Sequence, residues 1–244
     1  MKVVIFSSET KHHSHFINSL APLCDIRAIY YETRHLTKPY PTGPFFADEE
    51  DAFEDRFFDP ALGGVEAELP HDLAARVHVV EDVNAAAVIE AVRSFIPDLG
   101  ISYGIGLAKP ELFEVPAFGT INVHRGIAED YRGLDSDLWA VLEGRFDKIG
   151  VTIHYMDADL DTGDILAQET VAIEAGDEIF HLRYKTGLVA TRLVANSVRA
   201  FAAKGKPLQG TVQKVPGPYY TAMSLADKLR AKARFDAYQK ELEA

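Results

Sequence analysis

GTINVHRGIAEDYRGLDSDLWAVLEGR, residues 119–145, holds a strand, a polar loop and a helix in quick succession. Alternate residues of a strand share a face, so Ile121 and Val123 point one way and Asn122 and His124 the other. A strand buried on both faces would be apolar on both. This one carries an amide and an imidazole toward its end. They read either as a satisfied structural pair or as the wall of a site. The loop holds Arg125, Asp130 and Arg132, and DSDLWAVLEGR (135–145) reads as the helix.

Outward from there the pattern repeats. Val3-Val4-Ile5-Phe6 is a buried-strand run, a helix fits 15–23, and strands fit 25–31 and 77–80. NAAAVIEAVRSFI (84–96) predicts an amphipathic helix with Asn84 as N-cap and Pro97 closing it. LGISYGI (99–105) is a strand, and 109–113 a short helix with proline near its first turn. Strands at 150–156 and 165–173 and a long helix at 178–204 follow. Strands alternating with helices predict an α/β fold: an open, mostly parallel twisted sheet with helices on both faces. Such sheets bind ligands beyond the carboxyl ends of their strands, and His124 sits at such an end.

The chain has 244 residues, 47% hydrophobic and 25% charged, enough for one good core. A net charge of −12 repels polyanions and excludes broad nucleic-acid binding, leaving room only for a local phosphate site. Cys24 is the single cysteine, so neither an intrachain disulfide nor a Cys-x-x-Cys metal site can form. The N-terminal apolar run is too short for a signal peptide and no stretch is long enough to span a membrane, so a cytoplasmic protein is expected.

Two segments stand apart. Residues 37–70 are rich in Pro, Gly, acids and phenylalanine, and EEDAFEDRFF within them could be a helix with an aromatic stripe. It would pack on the core or act as a mobile cover. Gly205 and Pro207 mark a boundary, giving a body of 1–205 and an extension of 206–244 whose final charged amphipathic helix should dock on the body. Both segments are candidates for a homodimer surface.

GVTIHYMDADLDTGDIL (150–166) runs from a strand into a loop with four carboxylates, Asp157, Asp159, Asp161 and Asp164. Asn-x-His, then Tyr-Arg-Gly, then Gly-Val-Thr-x-His, then Leu-Asp-x-Gly, with Asp161 thirty-seven residues after His124, resembles the folate-dependent formyltransferase family. Order and spacing match from about Pro97 to Ile173, and more weakly back to the first strand. The resemblance implies a Rossmann-like formyltransferase fold and formyl transfer from 10-formyltetrahydrofolate to an amine. The family's catalytic trio falls on Asn122, His124 and Asp161. An amide N–H and the imidazole can stabilise the oxyanion that develops as an amine attacks the formyl carbon. Asp161 can take a proton and hold His124 charged, which predicts a raised histidine pKa.

His154, on the same strand face as Thr152 and Met156, is expected behind the reacting groups, and Asp164 is expected to accept from loop amides. The family's pterin-holding positions fall on Gly104, Ile105, Gly106, Leu107 and Ala108, and on Asp157, Asp159 and their neighbours up to Asp161. The four carboxylates lack the calcium-loop spacing, so no metal is expected.

This chain departs from the family after the histidine, where Arg125-Gly126-Ile127 replaces Pro-Ser-Leu, and Arg125 becomes a handle for phosphate or carboxylate. The first loop, SSETKHHSHF, lacks the glycine-rich cradle of the purine-pathway members. Lys11, His12, His13 and His15 cluster there at an expected helix start, which suits an anion, a solvated turn or a metal. Candidate acceptor contacts are Lys11, His12, Arg125, Tyr131 and Arg132. A methionyl-tRNA formyltransferase would carry a barrel-like C-terminal domain, for which the residues after Gly205 are too few. The expected acceptor is therefore a small primary amine, an amino sugar on a nucleotide. A methionyl-tRNA formyltransferase-like enzyme, a formyltetrahydrofolate hydrolase and a folate-binding module remain alternatives.

Overall fold

The computed structural model describes every residue except 35, 36 and 44. The first part of the chain runs β1 (Lys2–Ser7), α1 (Lys11–Leu20), β2 (Asp25–Glu32), α2 (Ala47–Phe57), α3 (His71–Ala74), β3 (Val77–Val80), α4 (Ala86–Phe95), β4 (Leu99–Tyr103), α5 (Pro110–Phe113) and β5 (Thr120–His124). It continues with β6 (Arg132–Gly133), α6 (Ser136–Glu143), β7 (Gly150–Tyr155), β8 (Ile165–Thr170), α7 (His181–Lys204), β9 (Tyr219–Tyr220) and α8 (Leu225–Leu242). Seven strands form one sheet in the order β3-β2-β1-β4-β5-β7-β8. β1 to β5 pair in parallel, while β7 and β8 run antiparallel at one edge.

The alternation of β1 explains the layers. Val3 and Ile5 pack with Phe16 and Ile17 of α1 and Val194 and Val198 of α7. Val4 and Phe6 pack on the other face with Val88 and Val92 of α4 and Leu112 of α5. Helices thus cover both faces of a mostly parallel sheet, as the sequence predicts. The order reverses at β1/β4, the switch point beyond whose strand ends such sheets bind ligands.

Some boundaries differ from expectation. α1 begins at Lys11 because the Thr10 side chain caps it, accepting from the His13 amide. Lys11 to His15 therefore lie inside the helix. Ala85, not Asn84, precedes α4, and the Asn84 side chain serves another loop. β6 and β9, two residues each, pair with one another outside the main sheet and carry no hydrophobic signal of their own.

The segment after β2 packs rather than floats. Phe53 and Phe57 of α2 lie edge-on to Tyr184 of α7, with ring centroids 4.7 and 4.9 Å away. Beyond Gly205 the chain returns to the body. Ala231 and Phe235 of α8 and the preceding Met223 are fully buried with Tyr131 and with Ala140 and Val141 of α6. Among the described residues no helix is long and apolar enough to cross a membrane.

Candidate active site

Three strand and loop positions converge. β5 and β7 pair so that Asn122 lies opposite His154 on one face. Asp161, in the loop between β7 and β8, reaches in from the side. One carboxylate oxygen, Oδ1, accepts from Asn122 Nδ2 at 3.2 Å and lies 3.3 Å from His154 Nε2. The other, Oδ2, accepts the Gly133 amide at 2.9 Å and lies 3.4 Å from His124 Nδ1. The loop that presents Asp161 is braced: Gln213 Nε2 donates to the Asp161 and Gly163 carbonyls at 3.0 and 2.9 Å, and Arg132 donates to the Leu160 carbonyl at 3.2 Å. Asp161 itself has φ 55, a left-handed conformation that Asp and Asn tolerate best after glycine.

The electrostatics follow from burial. His124 is 5% exposed and Asp161 6%, while Asn122 is half-buried, so the trio reaches solvent through Asn122. Burial pushes Asp161 up. The two imidazoles and the Gly133 amide outweigh it and hold the carboxyl well below its usual range. For His124 burial wins instead. It pulls the ring below its ordinary value despite the Asp161 carboxylate, which corrects the expected rise. The neutral ring donates Nε2–H to the Tyr131 carbonyl at 2.7 Å, the tautomer being assigned from that contact. Its Nδ1 then faces the Asp161 carboxylate. A proton arriving at Nδ1 finds a charged acceptor at once, so the ring rests neutral and is arranged to take a proton.

The loop after β4 is pinned from behind. Glu32, buried at the end of β2, accepts the Gly106 amide at 2.6 Å and the Val83 amide at 3.2 Å. Asn84 donates to the Leu107 carbonyl at 2.9 Å and accepts from the Lys109 amide at 2.7 Å. Gly104 has φ 79, and a Cβ there would meet His13 Nε2 at 2.7 Å, so only glycine fits. Ile105 is half-buried, Leu107 is 58% exposed, and Ala108 packs beneath on Phe6. In the facing loop Asp159 is exposed, and Asp157 accepts from Thr162 Oγ1 at 2.8 Å. The Asp164 carboxylate, expected to accept loop amides, has no hydrogen-bond partner among the described residues. It is the Asp164 main-chain carbonyl that takes the Tyr155 amide at 3.0 Å.

Four of the five candidate acceptor contacts are committed elsewhere. Lys11 pairs with Asp55 at 2.9 Å. His12 is caged by Phe58 and Tyr184, at 5.0 and 4.5 Å between ring centroids. Burial holds His12 neutral, at about 2, so it offers no charge to an anion. Tyr131 donates its hydroxyl to Glu143 at 2.7 Å, and Arg132 braces Gly217 and Leu160. Of the five, Arg125 is the one that lines a cavity of about 300 Å³, between Thr42, Gly43, Phe45, Phe46 and Glu50 on one side and the starts of α6 and α7 on the other. Sequence marked Asn84 as a helix cap and Gly133 as part of Tyr-Arg-Gly, and placed neither at the site. Glu32 left one signal, a carboxylate closing the apolar run Ala28-Ile29-Tyr30-Tyr31. Among the described residues no group of three or more His, Cys, Asp or Glu is placed to hold a metal ion.

The profile described as "Formyl transferase" matches residues 68–195, just over half of the chain. A methionyl-tRNA formyltransferase of Methylacidiphilum infernorum is 33% identical over 129 residues, which is 52% of this chain and 40% of that protein. The chain spans less than half the length of the curated relatives it matches. A sugar N-formyltransferase from a Shewanella species superposes with a TM-score of 0.63 at 17% identity, over 95% of this chain and 87% of that one. The formyltransferase PseJ of Anoxybacillus kamchatkensis, in complex with UDP-4,6-dideoxy-4-formamido-L-AltNAc and tetrahydrofolate, superposes with a TM-score of 0.50 at 21% identity, over 91% and 86%. At these identities the structural likeness is one of fold.

Proposed function

The chain belongs to the formyl transferase family, and on that premise we propose that it transfers a formyl group from 10-formyltetrahydrofolate to the primary amine of a small acceptor, an amino sugar carried on a nucleotide. The observation that carries the reading is the Asp161 carboxylate, shared by Asn122, His124, His154 and the Gly133 amide within 3.4 Å. The amino-sugar part is supported by the ligand named in the Anoxybacillus complex. The net charge of −12 disfavours a transfer RNA acceptor.

The residues after β4 suit a flat donor. Gly104 leaves its backbone exposed, Leu107 offers an apolar face, and Glu32, on the Gly106 amide, and Asn84 hold the loop from behind. The bound donor supplies the formyl carbon. The chain's own groups do the rest. As the amine–carbon bond forms and the folate nitrogen–carbon bond breaks, one proton must leave the amine and one must reach the departing nitrogen. Neutral His124 can take the first at Nδ1, stabilised by Asp161, and pass it on to the departing folate nitrogen. Asn122 holds its present partners at 3.2 and 3.3 Å, longer than the preferred 2.9–3.0 Å. Exchanging one of them for a developing oxyanion therefore costs little. One such donor contributes roughly 3 kcal/mol.

The test is turnover. With 10-formyltetrahydrofolate and a panel of amino sugars, free and nucleotide-linked, the account expects tetrahydrofolate release only when an amine is present. Release without amine would make the protein a hydrolase. Binding without release would make it a folate-binding module.

A further inference from the structure

The cavity beside Arg125 has a chemistry that the transfer reaction does not explain. Three acid–base pairs stand in its wall: Arg125 with Asp137, Arg183 with Glu50 at 3.0 Å, and Lys228 with Asp135 at 3.8 Å. Phe46 and Phe180, with centroids 6.0 Å apart, supply aromatic surface. We propose that this cavity binds the pyranose ring of the amine acceptor and leaves any nucleotide outside. The inference rests on the formyltransferase reading only for what happens to the amine.

Charge is the first argument. Three cations face three carboxylates, so the wall has no surplus positive charge to compensate a diphosphate. The hydroxyls of a pyranose ring need none. The ring needs fixed donors and acceptors for neighbouring hydroxyls and an aromatic face for its C–H surface. Paired guanidinium and carboxylate groups are such arrays, held in place by each other. Arg125 Nε is buried without a hydrogen-bond partner among the described residues, a donor waiting for an acceptor.

Position is the second. Arg125 follows His124 directly, and a Cβ on Gly126 would meet His124 Nε2 at 2.5 Å and Ser136 Cβ at 2.7 Å. Gly126 therefore sits between the His124 ring and Ser136, whose neighbours Asp135 and Asp137 line the cavity. Alternation along β5 sends Arg125 to the α1/α7 side of the sheet, away from the loop after β4, whose Ala108 packs with α4 and α5. Acceptor and donor so approach the end of β5 from opposite sides. Size is the third: about 300 Å³ lies at the bottom of the range for ligand pockets, room for a ring rather than a whole nucleotide sugar.

The probes are 4-amino-4,6-dideoxyglucose, the same sugar linked to UDP, and UDP alone. Saturation-transfer NMR on the whole chain without folate should show the free sugar bound, with ring protons in contact and UDP unable to displace it. Glu50→Gln, which keeps the side-chain shape, and Phe46→Ala should each weaken sugar binding at least tenfold and raise the sugar KM alike, with the KM for 10-formyltetrahydrofolate unchanged. Displacement by UDP, or sugar binding unaffected by both variants, would overturn the proposal. Sugar binding that obeys the variants, with no formyl transfer to any amine, would leave the pocket standing and sink the transferase reading instead.

Discussion

Asp161 combines a left-handed backbone with four polar contacts, and the two features make separable predictions. Asp161→Asn keeps a residue that accepts φ 55 and keeps an oxygen for the Gly133 amide, but removes the charge opposite His124. It should lower turnover at least about a hundredfold with little change in the thermal melt. Asp161→Ala adds backbone strain of about 1–2 kcal/mol and should lower the melt as well. Equal melts for the two variants would show that the left-handed conformation carries no cost. The histidines make a pH prediction. Burial, with help from nearby arginines, holds His12 at about 2 and His13 at about 3, and burial also lowers His124. An unfolded chain takes these protons near the ordinary value of 6.5, while the folded chain does not. Stability is therefore full above about pH 6.5 and falls as the pH drops below it, by roughly 1.4 kcal/mol per pH unit for each histidine kept neutral. Urea unfolding at pH 7, 6 and 5 measures this slope. His12→Phe, which keeps the aromatic packing, should make it shallower by about that amount. An unchanged slope would show that His12 is charged in the fold.

At the scale of elements, the smallest strand matters most. Gly133 in β6 has φ 97, and a Cβ there would collide with the Tyr220 carbonyl of β9. Its amide also holds Asp161. Gly133→Ala should therefore cost about 1–3 kcal/mol in urea unfolding and reduce turnover as well. Wild-type values for both would separate β6 from the site. β6 also marks the limit of what sequence could show. Long apolar runs such as Val3-Val4-Ile5-Phe6 announce the sheet, because burial on both faces needs them. Asn122 and His124 stand out because they interrupt such a run. Direction is not written in that way: the apolar run of β7 looks like those of the parallel strands, and the tertiary pairing makes it antiparallel to both neighbours. Two-residue strands have no period to detect. Asn84 looked like a helix cap because its side chain suits one, yet it serves the loop after β4, a contact 23 residues away. Resemblance, not spacing, singled out Asp161 among four carboxylates. The raised pKa expected for His124 failed for a physical reason too: the carboxylate was visible in sequence and the depth of burial was not.

Across the whole molecule, the chain after Gly205 acts as a brace rather than an appendage. Gln213 holds the Asp161 loop, β9 holds β6, and α8 packs on α6 and on Tyr131, whose carbonyl fixes the His124 ring. Phe235→Ala should cost about 3–5 kcal/mol, since Phe235 is fully buried, and should loosen the site along with the tail. Hydrogen exchange would show it: the Gly133 and Tyr131 amides should lose protection together with α8. Protection lost in α8 alone would make the extension an independent unit. The claim on which all else depends is that Asn122, His124 and Asp161 act as one formyl-transferring group. It is tested most directly by the initial rate of amine-dependent tetrahydrofolate release from 10-formyltetrahydrofolate, wild type against Asn122→Ala at matched thermal melts. The rate should be at least about a hundredfold lower in the variant. Equal rates, or no amine-dependent release from the wild type, would contradict it.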